Sequence, residues 1–382
     1  MVENVVSSYP CWIENKDFVR EKVCLGKGSF CRVDLIRRCQ NKDIQLEHNN
    51  SFPSQKGEGT QKQYFALKHV RLDLESPSCM KQGQKDLQLE CKILQSLPSA
   101  HPNIIQLHSI GREEEKDAKN DDDNNNNGVF VTYLVLDRLS MTVMDKIKGE
   151  WLERRGYFGF QEQIGLHQEA QQKLWDERME VIHQIANALT FIHQHDIVYR
   201  DVKPENIGFV YENNDDNPKT QGRGANRIKL FDFGLAKSLQ NIPAVQNDEY
   251  NLTKLTGTYI YMSPEILRRN PYGKQTDVYS FALVSYHILA LRQPFEHTMT
   301  VSSVYDEVVR MNHRPNLDIF WPLGLRQLIS SMWDECPKKR PTSQQTSQRL
   351  SQLPNEHPTI PLGAIGKIIS LFHHKPDDAV SS

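Results

Sequence analysis

No apolar run in this 382-residue chain is long enough to cross a bilayer. The longest nearly apolar stretch, Val278 to Leu291, includes Ser280, Ser285, Tyr286 and His287 and falls short of the roughly 20 residues a spanning helix needs. It predicts a buried core helix instead. The N-terminus carries Glu3 and Glu14 and lacks a basic segment followed by a sustained apolar run, which argues against a secretory leader. The 7 cysteines are odd in number, scattered and never spaced as CxxC, which excludes a disulfide framework and a zinc module. A reducing compartment is expected: cytoplasmic, with the nucleus as the alternative. A formal net charge of -2 supplies no global attraction to nucleic acid or anionic membrane, so neither a nucleic-acid partner nor a transmembrane segment is expected. No internal repeat is present, and no strand-to-helix GxxxxGK[ST] supports a P-loop enzyme.

What is present is a globular composition, 38% hydrophobic and 25% charged, enough for two or three packed units. From Phe18 to about Leu139 the pattern is strand-like, in "KVCLGKGSFCRVDLIRR", "QYFALKHVRL" and "VFVTYLVLDRL". One helix interrupts it, marked by the stripe Leu87, Leu89, Ile93, Leu94 and Leu97, ending before Pro98. From Ser140 onward helical periodicity dominates, notably Trp175 to His195 and Asp277 to Leu291. Polar stretches at about 40–63, 112–128 and 211–226 cannot bury enough apolar area to offset their ordering entropy, and they read as surface insertions. Beyond Pro358 the apolar residues Ile360, Leu362, Ile365, Ile368, Ile369, Leu371 and Phe372 suggest a short helix packed on the chain's own helical part.

The chemistry-bearing residues fall in chain order. "LGKGSFCRV" puts Gly26 and Gly28 in a turn between two strands, where missing side chains would let backbone amides approach phosphate oxygens; alone such a turn is more often an ordinary hairpin. "FALK" then places Lys68 at the end of an apolar strand, within possible reach of phosphates, and Glu90 on the following helix could hold it by an ion pair. "IVYRDVKPENIGF" carries Asp201, Lys203 and Asn206, a set able to orient a hydroxyl, screen phosphate charge and ligate a metal. In "IKLFDFGLAK", Asp232 follows an apolar strand and offers a hard oxygen ligand suited, with Asn206 and phosphate oxygens, to magnesium.

Together "GKGSFCRV", "FALK", Glu90, "YRDVKPEN", "DFG" and "SPE" resemble the eukaryotic protein kinases in order and spacing, over about Phe18 to Leu353. The resemblance implies an α+β, two-lobed fold: a β-rich N-lobe at 18–139, a helical C-lobe at 140–355, ATP in the cleft, a 1–17 extension and a 356–382 tail. It implies nucleotide contacts from Leu25, Gly26, Gly28, Ser29, Val33, Ala66, Lys68, Leu136 as gatekeeper, the hinge residues Asp137 and Leu139, Asn206 and Asp232. Lys68, Glu90, Asp201 and Lys203 would be catalytic, with Asp201 accepting the substrate proton; Asn206 and Asp232 would hold Mg2+. Asp277 resembles the aspartate that braces the catalytic loop, Glu265 and Arg340 a buried ion pair, and Leu94, Leu107, Tyr199 and Phe233 the family's apolar stack. Cys31 stands at the third glycine position, Tyr199 replaces histidine before Arg200, Ser263 replaces alanine before Pro264, and Gly208 stands where the family places an apolar floor under adenine, implying looser nucleotide packing.

Lys203 and "GTYIYMSPE" resemble the serine/threonine class, and "TDVYSFALVSYHIL", Trp333 and "CPKKRPT" its tyrosine-kinase-like branch. The implied substrates are serine and threonine hydroxyls of proteins, with a nucleotide-binding pseudokinase or scaffold as the alternative. Arg200 and the hydroxyls of Ser238, Tyr250, Thr253 and Thr256 suggest a phosphate-receiving activation segment, with Thr253 the first candidate.

Overall fold

The computed structural model describes residues 18–39, 63–74, 76–98, 101–114, 129–155, 168–210, 227–246, 248–298, 300–354 and 356–358. The chain divides into two compact units, one holding the described residues up to Thr142 together with Asn206–Ser238, the other Val143–Glu205 and the described residues from Leu239 onward.

The first unit is built on five antiparallel strands, β1 (Phe18–Lys27), β2 (Cys31–Arg38), β3 (Tyr64–Val70), β4 (Leu107–Glu114) and β5 (Val129–Asp137), in the order β1-β2-β3-β5-β4. Their β-branched and aromatic residues suit a pleated, half-buried surface. Ile36, Phe65, Leu67, Tyr133 and Val135 form one core cluster, and Phe18 meets Phe65 edge-on at 5.6 Å. The helix α1 (Pro77–Ser96) packs on β3, β4 and β5. It begins where Ser76 accepts a hydrogen bond from the Cys79 amide and Pro77 supplies a preset φ. Its buried face carries Gly83, Leu87, Glu90, Cys91, Ile93 and Leu94, so a carboxylate lies among core residues. A second small antiparallel sheet joins β6 (Leu139–Thr142), β7 (Ile207–Val210) and β8 (Ile228–Leu230) in the order β6-β7-β8.

In the second unit α2 (Gln168–Gln194) packs against α3 (Gln275–Ala290) and α5 (Ser343–Gln352), and α3 also packs against α4 (Leu323–Met332). The sequence marks α2 only from Trp175, because its first two turns, "QEAQQKL", are mostly polar and carry little apolar stripe. Every residue of α3 from Thr276 to Leu289 is buried, which explains its nearly uniform apolar character. Glu265 and Arg340 form the expected buried pair, two parallel bonds of 2.7 and 2.8 Å, with Arg340 lying 4.9 Å from the Tyr279 ring centre. No described helix is long and apolar enough to cross a membrane.

The expected extension at 1–17, nearly all of the insertions at about 40–63, 112–128 and 211–226, and the tail beyond 358 lie outside the described residues. One boundary is corrected: Arg112, Glu113 and Glu114, assigned to an insertion for their polarity, complete β4 opposite Val131, Phe130 and Val129. Backbone pairing is indifferent to side-chain charge, and β4 is an edge strand, where charged residues are common.

Candidate functional site

In the first unit the register of β3 assembles one face of the sheet. Lys68 lies opposite Val33 on β2 and Leu134 on β5, and Ala66, two residues earlier on the same face, lies opposite Leu35 and Leu136. The β1–β2 turn is closed by the Gly28 amide donating to the Cys31 carbonyl at 2.8 Å, with Gly26 and Ser29 beside it and Leu25 exposed on β1. A Cβ at Gly26 would meet nothing within 4 Å, so no described neighbour crowds the outer side of this turn.

Lys68 Nζ donates to Glu90 Oε2 at 2.6 Å and to Asp232 Oδ1 at 2.9 Å, and the Phe233 amide donates to Glu90 Oε1 at 3.2 Å. Burial alone would push the Lys68 ammonium down, but the carboxylates of Asp232 and Glu90 outweigh it and hold the group well above the usual lysine range. Lys68 is therefore a fixed cation. Asp232 adopts φ 62, a left-handed conformation that costs a non-glycine residue energy and marks a constrained position. Its side chain is 46% exposed, whereas that of Glu90 is 1% exposed: one carboxylate anchors the lysine, the other faces outward.

Sequence reasoning missed Asp86, one helical turn before Glu90 on α1. Its backbone and Cβ lie beside Gly234, and Gln82 donates to it at 2.7 Å. Burial, then Asp232, push its carboxyl up, with the Gln82 hydrogen bond and Lys68 opposing. The i, i+4 spacing of Asp86 and Glu90 was the available signal.

Two positions at the hinge gain detail from the structure. The Asp137 carboxylate accepts from the Gln106 amide at 2.8 Å, Lys229 at 2.6 Å and His108 at 2.8 Å, which leaves only the backbone of this hinge residue for the expected nucleotide contact. Burial opposes its ionisation, but the bonds from His108 and Lys229 overcome that and hold it below the usual carboxylate range, so the side chain fastens β5 to β4 and β8. Beside Gly208 the strand pairing leaves little room for a side chain. A Cβ there would sit 2.6 Å from Leu139 Cδ1 and 3.2 Å from Phe231 Cε1, because Leu139, on the paired strand β6, fills the space a larger residue would take.

The second unit carries Asp201, 7% exposed. Its Oδ1 accepts from the Thr258 amide and hydroxyl, both at 2.9 Å, and its Oδ2 from Lys203 Nζ at 2.6 Å; Lys203 also donates to Thr258 Oγ1 at 3.0 Å. The carboxylate is thus held at one orientation by donors on both oxygens. Asp277 accepts from the amides of Tyr199 and Arg200, both at 2.8 Å, and contacts His193 Nε2 at 2.8 Å, so the brace inferred from the sequence is present. Those bonds secure Arg200, which immediately precedes Asp201 and stands at φ 70.

Asn206, 4% exposed, begins the return of the chain into the first unit, where its carbonyl accepts from the Phe231 amide at 3.0 Å. Among the described residues no three His, Cys, Asp or Glu side chains form a metal cluster. Asn206 and Asp232 supply one amide and one carboxylate oxygen, a donor set that fits Mg2+ when phosphate oxygens and water complete the shell. Cys31 lies among Lys68, Glu90, Asp232 and Asp86; burial pushes its thiol up to about 11, which leaves little nucleophilic thiolate at neutral pH.

Comparison with known proteins decides what this arrangement is. The family description "Protein kinase domain" matches residues 55–350, more than half of the chain. The chain belongs to the protein kinase family. Among its relatives, the kinase domain is 33% identical over 185 residues to "Serine/threonine-protein kinase VIK" of Arabidopsis thaliana, covering 45% of this chain and 38% of the relative. It is 27% identical over 328 residues to "Calcium/calmodulin-dependent protein kinase type II" of Caenorhabditis elegans, covering 84% and 34%. It is 26% identical over 178 residues to "Dual specificity protein kinase shkE" of Dictyostelium discoideum, covering 46% and 23%. The kinase chain spans less than half the length of each of these relatives.

Proposed function

We propose that this kinase transfers the γ-phosphoryl group of ATP to serine and threonine hydroxyls of proteins in intracellular signalling. The observation that carries the reading is the pair of ordered charge clusters: Lys68 held by Glu90 and Asp232 in one unit, Asp201 held by Lys203 and Thr258 in the other.

In this reading Lys68 supports the α and β phosphates, its charge guaranteed by two carboxylates. Asn206 and Asp232 would hold Mg2+, whose charge would offset that of the phosphates. Asp201 accepts the hydroxyl proton as the substrate oxygen bonds to the γ-phosphorus and the bond from that phosphorus to the β–γ bridging oxygen breaks; Lys203 offsets charge on the transferred group. The Thr258 and Lys203 pattern around Asp201 favours serine/threonine over tyrosine, and "TDVYSFALVSYHIL" with Trp333 and "CPKKRPT" favours the tyrosine-kinase-like branch. The test is radiolabelled ATP with magnesium and generic protein substrates, followed by phosphoamino-acid analysis. Labelled phosphoserine or phosphothreonine is expected. Label confined to phosphotyrosine, or ATP binding without transfer to any substrate, would overturn the assignment.

A further inference from the structure

Tyr272 lies in the loop before α3 and is 1% exposed. Its hydroxyl accepts a hydrogen bond from Arg200 Nη1 at 3.2 Å and donates one to the Thr253 carbonyl at 2.6 Å. The phenol has a single proton and uses it on the carbonyl while its lone pair takes the guanidinium, a consistent relay. The backbone of Tyr272 also pairs antiparallel with that of Tyr250, at 3.0 and 3.1 Å. The Thr253 carbonyl is held a second way, accepting also from Thr256 Oγ1 at 3.0 Å.

The far end of the same stretch is locked by shape. Gly257 adopts φ 107, and a Cβ on it would run into the Arg200 carbonyl, so only glycine lets the two backbones approach. The next residue, Thr258, gives its amide and hydroxyl to Asp201. Residues 250–258, apart from the exposed side chains of Asn251, Thr253, Lys254 and Leu255, are thus tied at both ends to the loop carrying Asp201, and in these ties the segment contributes backbone or a neutral side chain.

We propose that Tyr272 is a positioning residue that docks this segment on the Asp201 loop without a phosphate, so that turnover does not depend on phosphorylation of the segment. This rests on the kinase reading above and replaces the expectation that Arg200 awaits a phosphate on Thr253. Arg200 is 8% exposed and its guanidinium already donates to a neutral hydroxyl that reaches the same backbone a phosphate would order.

The test uses the full chain treated with phosphatase, with mass spectrometry confirming no phosphate on Ser238, Tyr250, Thr253 or Thr256. Turnover and tryptic cleavage after Lys254, which is exposed, are then measured. Phosphate-free wild type should keep at least about half its kcat, since one neutral relay replaces the phosphate, and Lys254 should stay protected. Tyr272→Phe, which deletes only the hydroxyl, should speed cleavage after Lys254 and lower kcat about tenfold each, the factor for losing one buried hydrogen bond, with KM for ATP unchanged. A merely structural role would lower the urea midpoint without separating kcat from KM for ATP. Loss of more than about tenfold in kcat on dephosphorylation, or cleavage of Tyr272→Phe at the wild-type rate, would overturn the proposal. If Tyr272→Phe does not fold, the phosphate-free wild type decides alone. If no form of the wild type turns over, the kinase reading fails, while cleavage after Lys254 still reports on the bridge.

Discussion

Replacing Glu90 by glutamine changes one oxygen to an amide and tests whether the Lys68 cluster is as tightly coupled as its geometry indicates. In the wild type one carboxylate oxygen of Glu90 receives Lys68 Nζ at 2.6 Å and the other the Phe233 amide at 3.2 Å. Glutamine can satisfy one of these donors; its NH2 then faces the other, donor against donor. Breaking a buried ion pair and leaving one charge uncompensated costs ~3–5 kcal/mol. Lys68 keeps Asp232 at 2.9 Å, but that carboxylate is 46% exposed and screened by water, so it recovers only part of the loss. Glu90→Gln should therefore lose about 2–4 kcal/mol of stability, seen as a lower urea midpoint at unchanged m-value. It should also lose about 100-fold in kcat/KM, as expected when a phosphate-positioning group is free to shift by about 1 Å. A loss below about 0.5 kcal/mol together with unchanged kcat/KM would refute the reasoning, because both donors would then have found equivalent partners elsewhere.

Gly208→Leu should raise KM for ATP and cost about 1–3 kcal/mol, since Leu139 already fills the space; tighter ATP binding in an isothermal titration would mean that Leu139 swings away freely. His287 accepts or donates at Tyr261 Oη at 2.9 Å, and burial, then Lys148, pull its imidazolium down to about 4 from 6.5. Because its folded value lies below the unfolded one, the neutral ring contributes stability that is fully present above pH 6.5 and is lost as pH falls toward about 4, by up to about 3 kcal/mol; His287→Phe should flatten that part of the urea-midpoint profile. Cys31, with its thiol pushed up to about 11 by burial, should resist iodoacetamide at neutral pH with or without nucleotide; rapid labelling followed by mass spectrometry would contradict this.

Residues whose chemistry is strong enough to be seen alone were legible in the sequence. Lys68, Glu90 and Asp232 meet as their motifs imply, and Asp277 and the Glu265–Arg340 pair stand where the resemblance placed them. What escaped depends on contacts between distant positions. Tyr272 reads as an ordinary core aromatic until its hydroxyl is seen between Arg200 and Thr253. Leu139 and Gly208 are 69 positions apart, and only the pairing of β6 with β7 shows that one fills the gap left by the other. Asp137 was assigned by its place next to Leu136, which specifies its backbone but not the three donors that occupy its carboxylate. The polarity of Arg112 to Glu114 hid an edge strand, since polarity patterns report side-chain burial and not backbone pairing.

The central claim, that Asp201 is the base for phosphoryl transfer to a protein hydroxyl, is tested most directly by single-turnover transfer from radiolabelled ATP by wild type and Asp201→Asn at saturating magnesium and protein substrate. Asparagine retains an oxygen for the Thr258 amide but presents no anion to a hydroxyl proton, and its NH2 opposes Lys203. The account predicts transfer slowed by about 10²- to 10⁴-fold with ATP affinity nearly unchanged. Transfer by Asp201→Asn at close to the wild-type rate would contradict it.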